Sequence, residues 1–134
     1  MLSVERLGVV LAPKDKEHAK FNAGMVKQGD KVHMLYRWSK STGVWTGEKT
    51  GIRYAEDFVS YAELTPEGKL VSDLDDKGFI KYYIEDPKTP LYSQDPRIVE
   101  FEGEYIIFFV RWDLDLCKVG MARTKDFKKV VPIG

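Results

Sequence analysis

Two ten-residue stretches of the chain repeat one another, and this limits what it can fold into more than any other feature. Gly29-Asp30-Lys31-Val32-His33-Met34-Leu35-Tyr36-Arg37-Trp38 aligns with Gly103-Glu104-Tyr105-Ile106-Ile107-Phe108-Phe109-Val110-Arg111-Trp112 in glycine, acid, apolar run, arginine and tryptophan, at an offset of 74 (103 − 29). A second register aligns Ile52-Arg53-Tyr54-Ala55-Glu56-Asp57-Phe58 with Val119-Gly120-Met121-Ala122-Arg123-Thr124-Lys125-Asp126-Phe127, with Ala55 and Ala122 67 positions apart, so the second copy has a loop shorter by 7. Self-similarity of this length marks an architecture whose units bury their apolar faces by stacking on neighbours.

The apolar runs inside each unit are short, rich in Val, Ile, Tyr and Phe, and bounded by Gly, Pro, Asp and Asn, a pattern of strands and turns. Strands are expected at 8–11, 24–27, 32–38, 52–55, 59–64, 80–84, 98–101, 105–112 and 118–124. The nearly continuous apolar runs 32–37 and 105–110 suit central strands covered on both faces. The expected fold is all-β: a β-propeller, with about two blades, 21–75 and 95–134, in one partial domain over 1–134. Closed propellers have about four to eight blades, so the chain is expected to be a fragment or to assemble from several copies.

Composition narrows function by exclusion. Lys+Arg and Asp+Glu both number 21, which leaves no net charge to draw the chain to nucleic acid or anionic lipid. One cysteine, Cys117, and two histidines are too few for a Cys/His zinc site, so neither metal nor cofactor is expected, and Cys117 reads as a small buried hydrophobe. The short apolar run 7–12 is neither a signal peptide nor a membrane span, and the chain reads as soluble and cytoplasmic.

Chemistry concentrates in Tyr92-Ser93-Gln94-Asp95-Pro96-Arg97-Ile98, just before a strand. Pro96 is expected to hold Asp95 extended and present its carboxylate rigidly, with Arg97 two residues on; such a pair can act on a sugar hydroxyl or a glycosidic oxygen. The competing reading is an Asp-Pro turn with an ordinary surface arginine. In the first copy Phe21-Asn22-Ala23-Gly24 holds the corresponding place; Asn22 can both donate to and accept from a sugar hydroxyl, or Asn and Gly simply make a turn. Tyr36, Arg37 and Trp38 offer an aromatic platform and a charge, or strand-end packing. His33, inside an apolar strand, reads as a hydrogen-bonded core histidine. Asp113 and Asp115 with Glu100, Glu102 and Glu104 read as solvated faces rather than a cation site.

These segments carry a resemblance. Gly8-Val9-Val10-Leu11-Ala12-Pro13, Phe21-Asn22-Ala23-Gly24, Val32-His33-Met34-Leu35-Tyr36-Arg37, Ile52-Arg53-Tyr54-Ala55, Asp95-Pro96-Arg97-Ile98 and Ala122-Arg123-Thr124-Lys125-Asp126-Phe127 resemble, in order, the N-terminal part of glycoside hydrolase family 130. That family comprises β-mannoside phosphorylases and β-mannosidases built as five-bladed propellers. The resemblance implies cleavage of β-mannosidic bonds with inversion, by water or by inorganic phosphate as co-substrate. It implies Asp95 as general acid, and Asn22, Arg37 and Arg97 as sugar-binding residues. Gln94 stands where the family usually has Glu, and the phosphate-holding cations of the phosphorylases would lie in later blades. The alternative is a non-catalytic relative, a sugar-binding or self-assembling module whose open blade is covered by another copy.

Overall fold

The computed structural model describes residues 8–41, 54–80, 82–83, 90–113 and 116–133; positions 7, 52, 53, 81, 84 and 115, which belong to stretches or clusters given above, lie outside the described residues. The strands in chain order are β1 (His18–Gln28), β2 (Lys31–Ser41), β3 (Tyr54–Leu64), β4 (Leu70–Asp73), β5 (Tyr82–Tyr83), β6 (Pro90–Phe101), β7 (Glu104–Asp113), β8 (Leu116–Thr124) and β9 (Val131–Pro132). They form two antiparallel sheets, β1-β2-β3-β4 and β5-β6-β7-β8-β9, and the chain is all-β, part of a β-propeller. A 3-10 turn at Asp75–Lys77 is the one helical element among the described residues, and no helix there is long and apolar enough to cross a membrane.

The runs 32–38 and 105–112 lie in β2 and β7, the second strand of one sheet and the third of the other, β5 being an added two-residue edge. Residues 59–64 belong to the longer strand β3, which continues back through Phe58 and Asp57. Its polar Asp57 does not break the strand because its carboxylate is fully partnered (below). Residues 8–11 form no strand; Leu11 packs instead on the far face of the first sheet. β4, β9 and the leading halves of β1 and β6 carry too little apolar pattern to be foreseen.

The repeat is real but its register is 73, not 74. The β1–β2 turn pairs Gln28 with Lys31 and the β6–β7 turn pairs Phe101 with Glu104. Glycine comes first in one turn, Gly29, and second in the other, Gly103, so matching glycine to glycine slips the alignment by one. In a strand, one residue of slip exchanges the two faces. At 73, Tyr36 corresponds to Phe109, and Arg37 to Val110 rather than Arg111. The second register is corrected too: Tyr36 pairs with Ser60 and Phe109 with Gly120, so β3 and β8 match 60 residues apart, and Ala62 rather than Ala55 is the counterpart of Ala122.

The core lies between the sheets. Leu35, Val59 and Tyr61 of the first face Tyr105, Ile107, Phe109 and Ala122 of the second, with Ile80 and Phe127 closing the layer. His33 is buried here, as expected: Nδ1 lies 2.8 Å from the Tyr61 hydroxyl, Nε2 lies 3.1 Å from Gln28 Oε1, and the ring stacks on Phe127 with 4.0 Å between centroids. Trp38 is packing rather than a platform, stacked on Phe58 in a second cluster with Tyr36 and Ala62. Cys117 departs from expectation: it is exposed, because β9 pairs with β8 only at Ala122 and Arg123 and leaves the start of β8 uncovered.

Candidate functional site

Both inner strands bulge at the residues singled out from sequence. β1 shifts register between Phe21 and Gly24, and β6 between Gln94 and Arg97. In each case two residues, Asn22 with Ala23 and Asp95 with Pro96, oppose one on the partner strand. Asn22 and Asp95 have the same left-handed backbone, φ 52. Asp95 is therefore not extended, as Pro96 alone would make it; the bulge overrides that preference, and Asp and Asn are the side-chain-bearing residues that tolerate it best.

The two bulges touch. A Cβ on Gly24 would lie 2.7 Å from the Pro96 carbonyl oxygen, so only glycine lets β1 approach β6 this closely. The approach brings Asn22 Nδ2 to donate to Asp95 Oδ1 at 2.7 Å. Arg37 Nη1, from β2, lies 3.6 Å from the same oxygen, and the Arg37 guanidinium sits 4.9 Å from the centre of the Phe21 ring. The Asp95 side chain keeps 33% of its surface exposed, so a ligand can reach it. Arg97 does not join this group. Past the bulge, alternation puts it on the outer face of the second sheet, where it is exposed and its Nη1 donates to the Pro96 carbonyl at 2.8 Å.

Sequence reasoning missed Asp57. Arg37 donates to it through Nε, at 2.9 and 3.0 Å from the two oxygens, and through Nη2; Ser39 Oγ donates at 2.9 Å and Gln94 Nε2 at 2.7 Å. Burial pushes the Asp57 carboxyl up from the usual carboxylate range, and these donors oppose that shift. An acid inside a strand next to Phe58 and Val59 was the available signal. The contact also gives Gln94 a physical role, since a glutamate there would set a second carboxylate against Asp57. Among the described residues no cluster of His, Cys, Asp or Glu could hold a metal ion. A cavity of about 380 Å³ lined by Glu104, Arg123, Lys125 and Lys129, among others, contains none of the site residues.

No family profile matches the chain and no curated protein matches it. Solved structures do. The β-1,2-mannobiose phosphorylase of Listeria innocua, in complex with β-1,2-mannobiose, is 14% identical with a TM-score of 0.65, over 91% of this chain and 46% of its own. A structure from glycoside hydrolase family 130, whose mannoside phosphorylases are joined by glycoside hydrolases that target β-1,2 mannosidic linkages in Candida mannan, is 20% identical with a TM-score of 0.64, over 86% of this chain and 31% of its own. A glycoside hydrolase family 32 β-fructofuranosidase of Bombyx mori is 16% identical with a TM-score of 0.65, over 90% and 24%. At these identities the likeness is one of fold, and the chain spans less than half the length of each. The fold is thus one found in glycoside hydrolases and mannoside phosphorylases, including the family the sequence resembles, and the backbone fits a fructosidase as well as a mannosidase.

Proposed function

We propose that the chain forms the sugar-binding inner edge of a glycosidase or phosphorylase acting on β-mannosides. The observation that carries this reading is the meeting of Asn22, Arg37 and Asp95, from three strands and two sheets, around one oxygen of a partly exposed carboxylate. Protonated Asp95 would give its proton to the glycosidic oxygen as the bond from that oxygen to the anomeric carbon breaks, while inorganic phosphate, or water giving up a proton to a general base, attacks the anomeric carbon from the opposite face and inverts it. Asn22 and Arg37, beside that carboxyl, would then hydrogen-bond the hydroxyls of the bound sugar. Arg97 would bind sugar only from the outer face, so its role is the weakest of the four.

Saturation-transfer NMR of the purified chain with β-1,2-mannobiose, β-1,4-mannobiose and sucrose tests the reading. We expect a mannobiose signal that falls at least fivefold in Asn22→Ala and in Asp95→Ala. A signal unchanged in both variants, or a stronger one from sucrose, would overturn it. Phosphorolysis is a separate matter, because an attacking anion needs a cationic cradle opposite the acid, and we expect little or no mannose 1-phosphate from this chain and phosphate.

A second reading rests on a different observation. Val99, Phe101 and Val119, the last 73% exposed, lie along the second sheet away from the first, and a bare apolar face of this kind suits a self-assembling module.

A further inference from the structure

Behind the site stands a carboxylate that touches nothing outside the protein. Asp57 is 2% exposed, and its hydrogen-bond partners among the described residues, Arg37, Ser39 and Gln94, are all donors. The Arg37 and Gln94 nitrogens can only donate and the Ser39 hydroxyl donates here, so this geometry suits the ionised group. The Arg37 fork spans both Asp57 oxygens and leaves Nη1 to reach Asp95 at 3.6 Å. Of these two carboxylates, the one behind the guanidinium is hydrogen-bonded to it and the one in front is looser.

We propose that Asp57 is a positioning residue for this site: it anchors the Arg37 guanidinium and absorbs most of its charge, so that Arg37 meets Asp95 in a fixed orientation without becoming that carboxylate's main counter-ion. The proposal rests on the reading of Asp95 as a proton donor. An arginine spent on Asp95 alone would hold it ionised, the wrong state for donating a proton. Asp57 separates the two tasks, leaving Arg37 available to orient a sugar hydroxyl. Among the described residues, the charged groups brought to Asp95 are Arg37 of β2, with Asp57 of β3 behind it, and Arg97 of β6, which is turned to the Pro96 carbonyl.

Carbon NMR of the Asp95 carboxyl across pH, in the whole chain and in Asp57→Asn, Arg37→Gln and the double variant, tests this. Asp57→Asn should release Arg37 towards Asp95 and weaken proton affinity at Asp95 about tenfold. In the Arg37→Gln background the same substitution should change it less than threefold. Equal changes in the two backgrounds, or none in either, would overturn the proposal. Should Asp57→Asn fail to fold, the parent chain decides: nitrogen NMR should find the Arg37 Nε–H protected and its guanidinium slow to rotate, and a freely rotating group is the contrary result. No sugar enters these measurements. Loss of mannoside binding with the coupling intact would fail the functional reading alone, and intact binding without the coupling would fail this proposal alone.

Discussion

Lys20 and Ser93 hold equivalent places on the inner strands of the two sheets, two residues before the first residue of each bulge, and their surroundings are opposite. Ser93 faces the other sheet and is fully buried. Its hydroxyl accepts from Val59 N–H at 3.0 Å and donates to the Ile80 carbonyl at 2.6 Å. Lys20 faces away from the other sheet, yet its side chain is only 4% exposed. Its ammonium pairs with Asp73 at 2.6 Å and Asp75 at 3.0 Å. Tyr36 donates to Asp73, Trp38 Nε1 to Asp75 at 2.9 Å, and Lys14 closes over Asp75 at 2.6 Å. One backbone position thus takes a small hydroxyl where a sheet packs on it and an ion-paired network where none does.

This contrast is broken most severely at Lys20. Lys20→Met leaves Asp73 and Asp75 without their shared cation and should cost about 3 kcal/mol in urea unfolding; a cost below that of Ser93→Ala would show that the network does not close the far face. Next comes the contact between bulges. Gly24→Ala drives a Cβ into the Pro96 carbonyl and should cost about 2 kcal/mol, whereas Gly29→Ala, with open space but φ 59, should cost about 1 kcal/mol. Equal losses at the two glycines would mean that the sheets do not depend on this approach.

The third prediction concerns pH. Burial pushes His33 down from its ordinary value, with Lys31 adding to the shift and Glu63 opposing it. The unfolded chain then takes up the proton more readily than the folded one, so stability present at pH 7 is lost as pH falls through about 6.5 towards the lowered value. His33→Gln should flatten this part of the pH dependence of the urea midpoint; an unchanged slope would remove His33 from the joint. Its counterpart in the second sheet is Ile106, which cannot titrate. The smallest effect is on the bare face: Val119→Lys should leave stability within about 0.5 kcal/mol but reduce any concentration-dependent mass seen by sedimentation. Association that persists in the variant would place the contact elsewhere.

The central strands were legible because continuous apolar runs between turns leave little else for a chain to form. Register was not legible, because it depends on which turn position the glycine takes, and Gly29 and Gly103 take different ones. Asn22 and Asp95 could be picked out by type and by neighbours, but not their shared left-handed backbone, since Pro96 argued for the opposite. Asp57 fell between the expected strands 52–55 and 59–64, and only the continuous β3 sets it diagonally across the ladder from Arg37; Arg97 was misplaced because a bulge resets the alternation that follows it.

The most direct test of the matched bulges as a sugar site is to map a β-mannoside onto the chain. In nitrogen-resolved NMR of the labelled protein titrated with β-1,2-mannobiose, the Asn22 side-chain amide, the Arg37 guanidinium and the Asp95 backbone amide should shift together along one binding curve, with Val99 and Val119 unmoved. Shifts confined to the outer face of the second sheet, or none at Asn22 and Asp95 while others saturate, would contradict it.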